Sequence, residues 1–227
     1  TSRLFGFDLK QNFATPYFSR DIAEFWRRWH ISLSTWFRDY LYIPLGGSRG
    51  GTWMKVGNTF AIFLVSGFWH GANWTFVIWG ALNAIYFLPL LLTNNNRKNL
   101  GVVAEGKLLP SLRELIAMLT TFMLTVFAWI FFRAEDLNHA FSYIGGIFSE
   151  SLFKIPYFEH GTQSIKIIIL TIIFIIIEWI GRDRKYSLEN INNRFNLKIR
   201  WIFYLTIFSL IVLNISKKNN EFIYFQF

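Results

Sequence analysis

Four histidines are the side chains of this protein best suited to move a proton near neutral pH. His70 stands in Ser66-Gly67-Phe68-Trp69-His70-Gly71-Ala72-Asn73-Trp74, inside the 33 uncharged residues from Phe60 to Leu92. An ionisable residue within such a run is costly to bury, so by default it marks a functional site. Small neighbours let backbone or a ligand come close to it. The competing reading is a polar contact between packed helices. His30 has Trp26, Leu33 and Phe37 at helical spacing and points along an aromatic face. There it must find a partner or stay neutral, and a core histidine bonded to backbone is the alternative to a reactive role. His139 and His160 have acidic neighbours and read as solvated loop histidines.

Other chemistries lack their residues. Without cysteine there is no disulfide, thiolate ligand or cysteinyl acyl-enzyme. No histidine pair has metal-ligand spacing, so no metal is expected. Ser66 lacks a nucleophile elbow, and Gly46–Gly51 is not followed by the Lys-Ser/Thr of a nucleotide loop. Glu178 and Asp136 are single carboxylates without visible partners. Gly46-Gly47-Ser48-Arg49 suits either a phosphate held by backbone N–H groups and Arg49 or a flexible interfacial turn.

The elements that carry these residues belong in a membrane. The net charge is +9, and the charges lie between long apolar runs. A charge at the centre of a spanning helix costs a few kcal/mol or more, which explains that segregation. It also favours lipid headgroups over nucleic acid as the partner of the basic residues. Leu115–Phe132 has 18 residues without a formal charge, and single spans are expected near 112–133, 163–181 and 200–217. The 33-residue run would make ~50 Å of helix, too long for one crossing of a ~30 Å core and short for two. With Gly67, Gly71, Gly80 and Pro89 inside it, a re-entrant hairpin or broken helix is expected.

Lysines and arginines number four in 93–114, two in 133–164 and six in 182–200, with Lys217 and Lys218 after the last span. Their alternation puts 93–114 and 182–200 in the cytoplasm. Segment 1–59 holds eight and is expected at the same face, so that Phe60–Leu92 enters the membrane and returns. The fold class is all-α: a polytopic transmembrane helical protein with amphipathic interfacial and re-entrant helices.

Residues 21–41 show helical periodicity, with Ile22, Phe25, Trp26, Trp29, Leu33, Trp36, Phe37 and Tyr40 on one side. Asp21, Glu24, Arg27, Arg28 and Arg38 fall largely on other faces. One amphipathic helix at the membrane surface is expected, starting at Asp21 and ending before Pro44 and the glycines. Residues 1–12 hold no apolar leader, and the chain reads as opening in mid-structure, so an N-terminal portion is expected to precede it.

Asp21–Arg49, DIAEFWRRWHISLSTWFRDYLYIPLGGSR, resembles the signature of the membrane-bound O-acyltransferases, and specifically of the alginate O-acetylation family. Ser66–Asn83, SGFWHGANWTFVIWGALN, is similar to the segment that holds that family's invariant histidine, and Phe222–Phe227, FIYFQF, to its C-terminal ending. Ile43-Pro44-Leu45-Gly46-Gly47 resembles the polysaccharide O-acetylating branch more than the D-alanyl-transfer branch. Relatives commonly have histidine near Asn83, where this chain has Asn83-Ala84.

The resemblance implies that residues 1–227 are the C-terminal part of one membrane-bound O-acyltransferase domain in a multi-pass bacterial inner-membrane protein. It implies His70 as the essential histidine and His30 as its companion. The implied reaction moves an acetyl or short acyl group from acyl-CoA or another thioester to hydroxyls of an extracytoplasmic polysaccharide or to an acyltransferase partner, with no tightly bound cofactor. A histidine poised near neutrality can take the hydroxyl proton, worth ~10²–10⁴ in rate. Arg27, Arg28, Arg38 and Arg49 could hold donor phosphates or lipid headgroups. Trp26, Trp69 and Asn73 complete the candidate binding residues. D-alanyl transfer to teichoic acid, a non-catalytic membrane fragment and a transporter are the alternatives.

Overall fold

The computed structural model describes residues 2–154, 161–189, 191 and 195–214. His160, Lys217, Lys218 and the 222–227 ending lie outside them. The described residues form helices and turns, in two compact units, Thr1–Phe174 and Ile175–Phe227.

The first unit is built on a helical hairpin. Helices α1 (Ile22–Arg28) and α2 (Ile31–Phe37) come first, and a π-turn (Arg38–Tyr42) follows them. Helices α3 (Thr52–His70) and α4 (Trp74–Leu92) come next, joined by three residues. A Cβ at Gly67 would collide with the carbonyl of Phe76, and one at Gly80 with that of Phe63. These paired contacts make α3 and α4 antiparallel and in backbone contact, the close approach that small residues permit between membrane helices. The expected hairpin is therefore present. It begins eight residues before Phe60, because α3 draws Thr52–Thr59 into its first turns. Each arm is ~28 Å long, close to the thickness of a hydrocarbon core.

Helix α5 (Leu112–Arg133) packs on α4, and α6 (Leu137–Ile147) folds back against both. Ser111 and Glu114 close a capping box that fixes where α5 starts. Trp79, Ala128, Phe131 and Ala140 form the buried core between α4, α5 and α6. Helices α4 and α5 are long and apolar enough to cross a membrane. Segment 133–164 was expected as loop, yet 137–147 is helical because Asp136 caps it by accepting the His139 N–H at 2.7 Å. His139 itself is exposed, as expected.

The single helix expected over 21–41 is two helices. Asp21 caps the first, accepting the Glu24 N–H at 2.7 Å. Trp29 is extended, and His30 is left-handed at φ 44°, which stops the helix outright. The break is stabilised from outside: the backbone of Asn12 accepts the Ile31 N–H, and its side chain accepts the Ser32 N–H. Nor does α1 lie free at a surface. Ile22, Ala23, Glu24 and Phe25 are buried.

The second unit holds the C-terminal part of α7 (Gly161–Ile180), a folded loop over 181–189, and α8 (Leu197–Asn214). These helices cover the segments near 163–181 and 200–217, but among the described residues only α4 and α5 are long and apolar enough to cross a membrane.

Candidate functional site: a histidine at the tip of a helical hairpin

His70 is the last residue of α3, at the turn of the hairpin, where Gly71 ends the helix by donating its N–H to the Phe68 carbonyl. The imidazole sits in an aromatic cage, half-buried. Its ring centroid lies 4.9 Å from Phe132, 5.0 Å from Trp69, 5.3 Å from Trp79 and 6.2 Å from Phe76. Phe132, Trp69 and Trp79 meet it at steep interplanar angles, the favoured aromatic arrangement. Among the described residues, no hydrogen bond ties either ring nitrogen. The packed rings thus orient an imidazole whose nitrogens stay available to a reactant.

Phe132 comes from the last turn of α5, and it brings that helix end to the hairpin tip. Asn73 locks the same junction. Its side-chain oxygen caps α4 by accepting the Thr75 N–H, and its amide donates to the Glu135 carbonyl at 2.7 Å. His70 is therefore level with the end of a candidate span rather than halfway along one.

His30 is placed by the break between α1 and α2. Its Nδ1 accepts the Leu33 N–H at 3.3 Å, so the neutral ring carries its proton on Nε2. Phe13 packs edge-on to it. His30 thus stands in a strained turn rather than on a helix face.

The remaining candidates divide. Trp69 is exposed and faces His70. Trp26 is an interior residue: its ring packs on Phe63 and Trp79, and its indole N–H donates to Asn83 Oδ1 at 3.2 Å. Arg28 donates to Glu24 Oε1, Ala14 O and Gly101 O. Arg27 donates to the carbonyls of Asn96 and Asn99, each at 2.8 Å. Both arginines tie α1 to the 93–111 loop, which explains them without donor phosphates or headgroups. Arg38 is exposed and bonds Asp39 at 2.7 Å, which raises its own pKa and lowers that of the carboxylate. Arg49 is exposed beside Ser48, whose hydroxyl lies 3.0 Å from that of Tyr42.

Three residues matter more than the sequence suggested. Glu24, expected on a polar face, is 1% exposed and joins Arg20 at 3.0 Å to Arg28 at 2.9 Å. Burial weighs against the charge of Arg20, but Glu24 and then Glu114 outweigh it and hold the guanidinium pKa above its ordinary value. Asn83 is 1% exposed, and its amide donates to Trp79 O while its oxygen receives the Trp26 indole. Asn58 donates to the carbonyls of Leu45 and Gly47, both at 3.1 Å, and so shapes the turn read as flexible.

These features define an all-helical membrane protein with an available imidazole caged at a hairpin tip. Residues 2–103 match the model of the membrane-bound O-acyltransferase family. It is 38% identical over 185 residues to a probable alginate O-acetylase of Pseudomonas aeruginosa, covering 81% of this chain and 34% of that protein. It is 41% identical over 143 residues to a peptidoglycan O-acetyltransferase of Helicobacter pylori, covering 63% and 26%. Similarity extends to a teichoic acid D-alanyltransferase of Bacillus subtilis at 31% over 147 residues, covering 61% and 36%. The chain thus spans between about a quarter and about a third of the length of these curated relatives.

Proposed function

We propose that the protein is a membrane-embedded O-acyltransferase that moves an acetyl or short acyl group from a thioester to a hydroxyl, with His70 as general base. The observation that carries this reading is the His70 imidazole, oriented by four aromatic rings and free of hydrogen bonds among the described residues.

A hydroxyl is a weak nucleophile near neutral pH, and removing its proton as it attacks raises its reactivity. One nitrogen of His70 takes that proton while the oxygen attacks the thioester carbon. The tetrahedral intermediate then expels the thiolate, and the imidazolium returns the proton to sulfur. No covalent enzyme intermediate is required, in keeping with the absence of cysteine and of a serine elbow. We assign the supporting role to His30, whose Nδ1 is used by the Leu33 N–H and whose Nε2–H is left to face a developing oxyanion.

The acceptor we favour is a hydroxyl of an extracytoplasmic polysaccharide, or a partner acyltransferase that relays the acyl group to it. The higher identity to the two O-acetylating relatives than to the D-alanyl-transferring one supports that choice. D-alanyl transfer remains the second reading because that relative matches much of the same stretch. We place the protein in the bacterial inner membrane as a multi-pass protein, with acyl-CoA as the donor to test first. The deciding assay is transfer from radiolabelled acetyl-CoA to polysaccharide in membranes. Label in O-acetyl groups that depends on His70 is expected, whereas label released equally by the His70→Ala variant would refute the reading.

A further inference from the structure

The second unit contains a cavity of about 260 Å³ that the proposed chemistry does not use. Ile177 of α7, Leu188 and Phe195 of the connecting segment, and Phe203 of α8 supply apolar wall, and Arg184 and Arg200 are its charged lining residues. The loop that closes it is built rather than loose. Gly181 lies against the backbone of Ser187, where a side chain would collide, and the Ser187 hydroxyl donates to Glu178 at 2.6 Å.

An apolar hole with two arginines among its lining residues fits an amphiphilic anion whose chain fills the hole and whose head meets the basic side chains. Water filling it would find few polar partners, whereas an alkyl chain needs none. The surroundings suit a membrane interface. Arg182 stacks over the Trp179 ring at 4.2 Å, Lys185 lies 5.7 Å from the Tyr186 ring centre, and Trp201 and Tyr204 stand near the start of α8. Aromatic rings and basic residues gather at that depth beside anionic lipids. Asp183 Oδ1 lies 3.7 Å from Arg184 Nε, but Asp183 is 64% exposed and the contact is long for a strong ion pair.

We propose that this cavity takes one acyl chain of an anionic phospholipid, with the headgroup phosphate held between Arg184 and Arg200. The inference stands apart from the acyltransferase reading and does not involve His70.

The test is native mass spectrometry of the protein as the cell makes it, released from detergent with equal phosphatidylglycerol and phosphatidylcholine of matched chains. Retention of phosphatidylglycerol is expected to exceed that of phosphatidylcholine on the order of tenfold, the scale of two basic residues at a lipid surface. Replacing both arginines by glutamine should remove the preference, and replacing both by lysine should keep most of it. Ile177→Trp should release the lipid by filling the cavity while leaving both arginines in place. Equal retention of the two lipids by the unaltered protein would overturn the proposal. So would a preference that survives the double glutamine variant or Ile177→Trp. Displacement of the lipid by inorganic phosphate alone would mark a plain anion site and overturn it too. Should the glutamine variant fail to fold, the lipid competition and Ile177→Trp still decide.

Discussion

The imidazole of His70 meets the ring of Phe132 edge-on, centroids 4.9 Å apart at 77°, so the tip of the α3–α4 hairpin and the end of α5 join at this histidine. Phe132 also packs on Phe76 and Trp79, both at 5.1 Å. Its ring is thus the wall that fixes how the imidazole stands. Phe132→Ala is expected to lower kcat by about 10²-fold, the scale of a misplaced catalytic group. Phe132→Tyr should retain most activity. Steady-state kinetics in membranes checks both. Unchanged turnover in Phe132→Ala would show that the cage does not orient His70.

His30 caps α2, and the proposed mechanism gives it a second role that substitutions separate from the first. As a left-handed helix cap, it is best imitated by asparagine, which tolerates that conformation and can accept the Leu33 N–H. His30→Asn should keep thermal stability near that of the parent while activity falls strongly. His30→Ala should lose activity and also about 1 kcal/mol or more from the lost cap and the strained backbone. Melting in detergent and acyl transfer are to be measured on both variants. Normal turnover in His30→Asn would reduce His30 to a structural cap.

The hairpin is predicted to fail at its glycines in a position-specific way. Gly67→Ala and Gly80→Ala push a methyl group into backbone carbonyls that cannot rotate away. Each should cost about 1–3 kcal/mol by overpacking. Gly57→Ala meets open space on the same helix and should be neutral or slightly stabilising. Thermal unfolding in detergent tests the contrast, and equal effects at all three positions would contradict the packing described.

Glu24 holds two guanidiniums while almost fully buried. Glu24→Gln should destabilise the first unit by about 3–5 kcal/mol, because it removes the buried carboxylate that pairs with Arg28 and leaves Arg20 only the longer ion pair with Glu114. Proteolysis of the 93–111 loop, tied to Arg20, Arg27 and Arg28 through backbone carbonyls, should rise in parallel. A loop as resistant as in the parent would contradict this.

Much of the site was legible because membranes constrain sequence severely. A histidine between glycines in an uncharged run has few explanations, and Gly67, Gly71 and Gly80 pointed to a re-entrant hairpin or a broken helix. The break at His30 was hidden because the aromatic spacing from Ile22 to Tyr40 stays helical through it. The break depends on Asn12, which is distant in sequence. Glu24 was misplaced for a related reason. Periodicity assigns a carboxylate to a polar face, but here two arginines at i−4 and i+4 make burial tolerable. Phe132 gave no local signal, since one phenylalanine among many in α5 touches His70 only after the helices pack.

The central claim is that the caged His70 imidazole does chemistry rather than packing. Its most direct measurement is acyl transfer by His70→Ala beside His70→Gln, each in the protein as the cell makes it and each matched to the parent for melting temperature. Both variants should remain folded and lose transfer by at least the ~10²–10⁴ expected for a general base. Transfer at the parental rate by either folded variant would contradict the account.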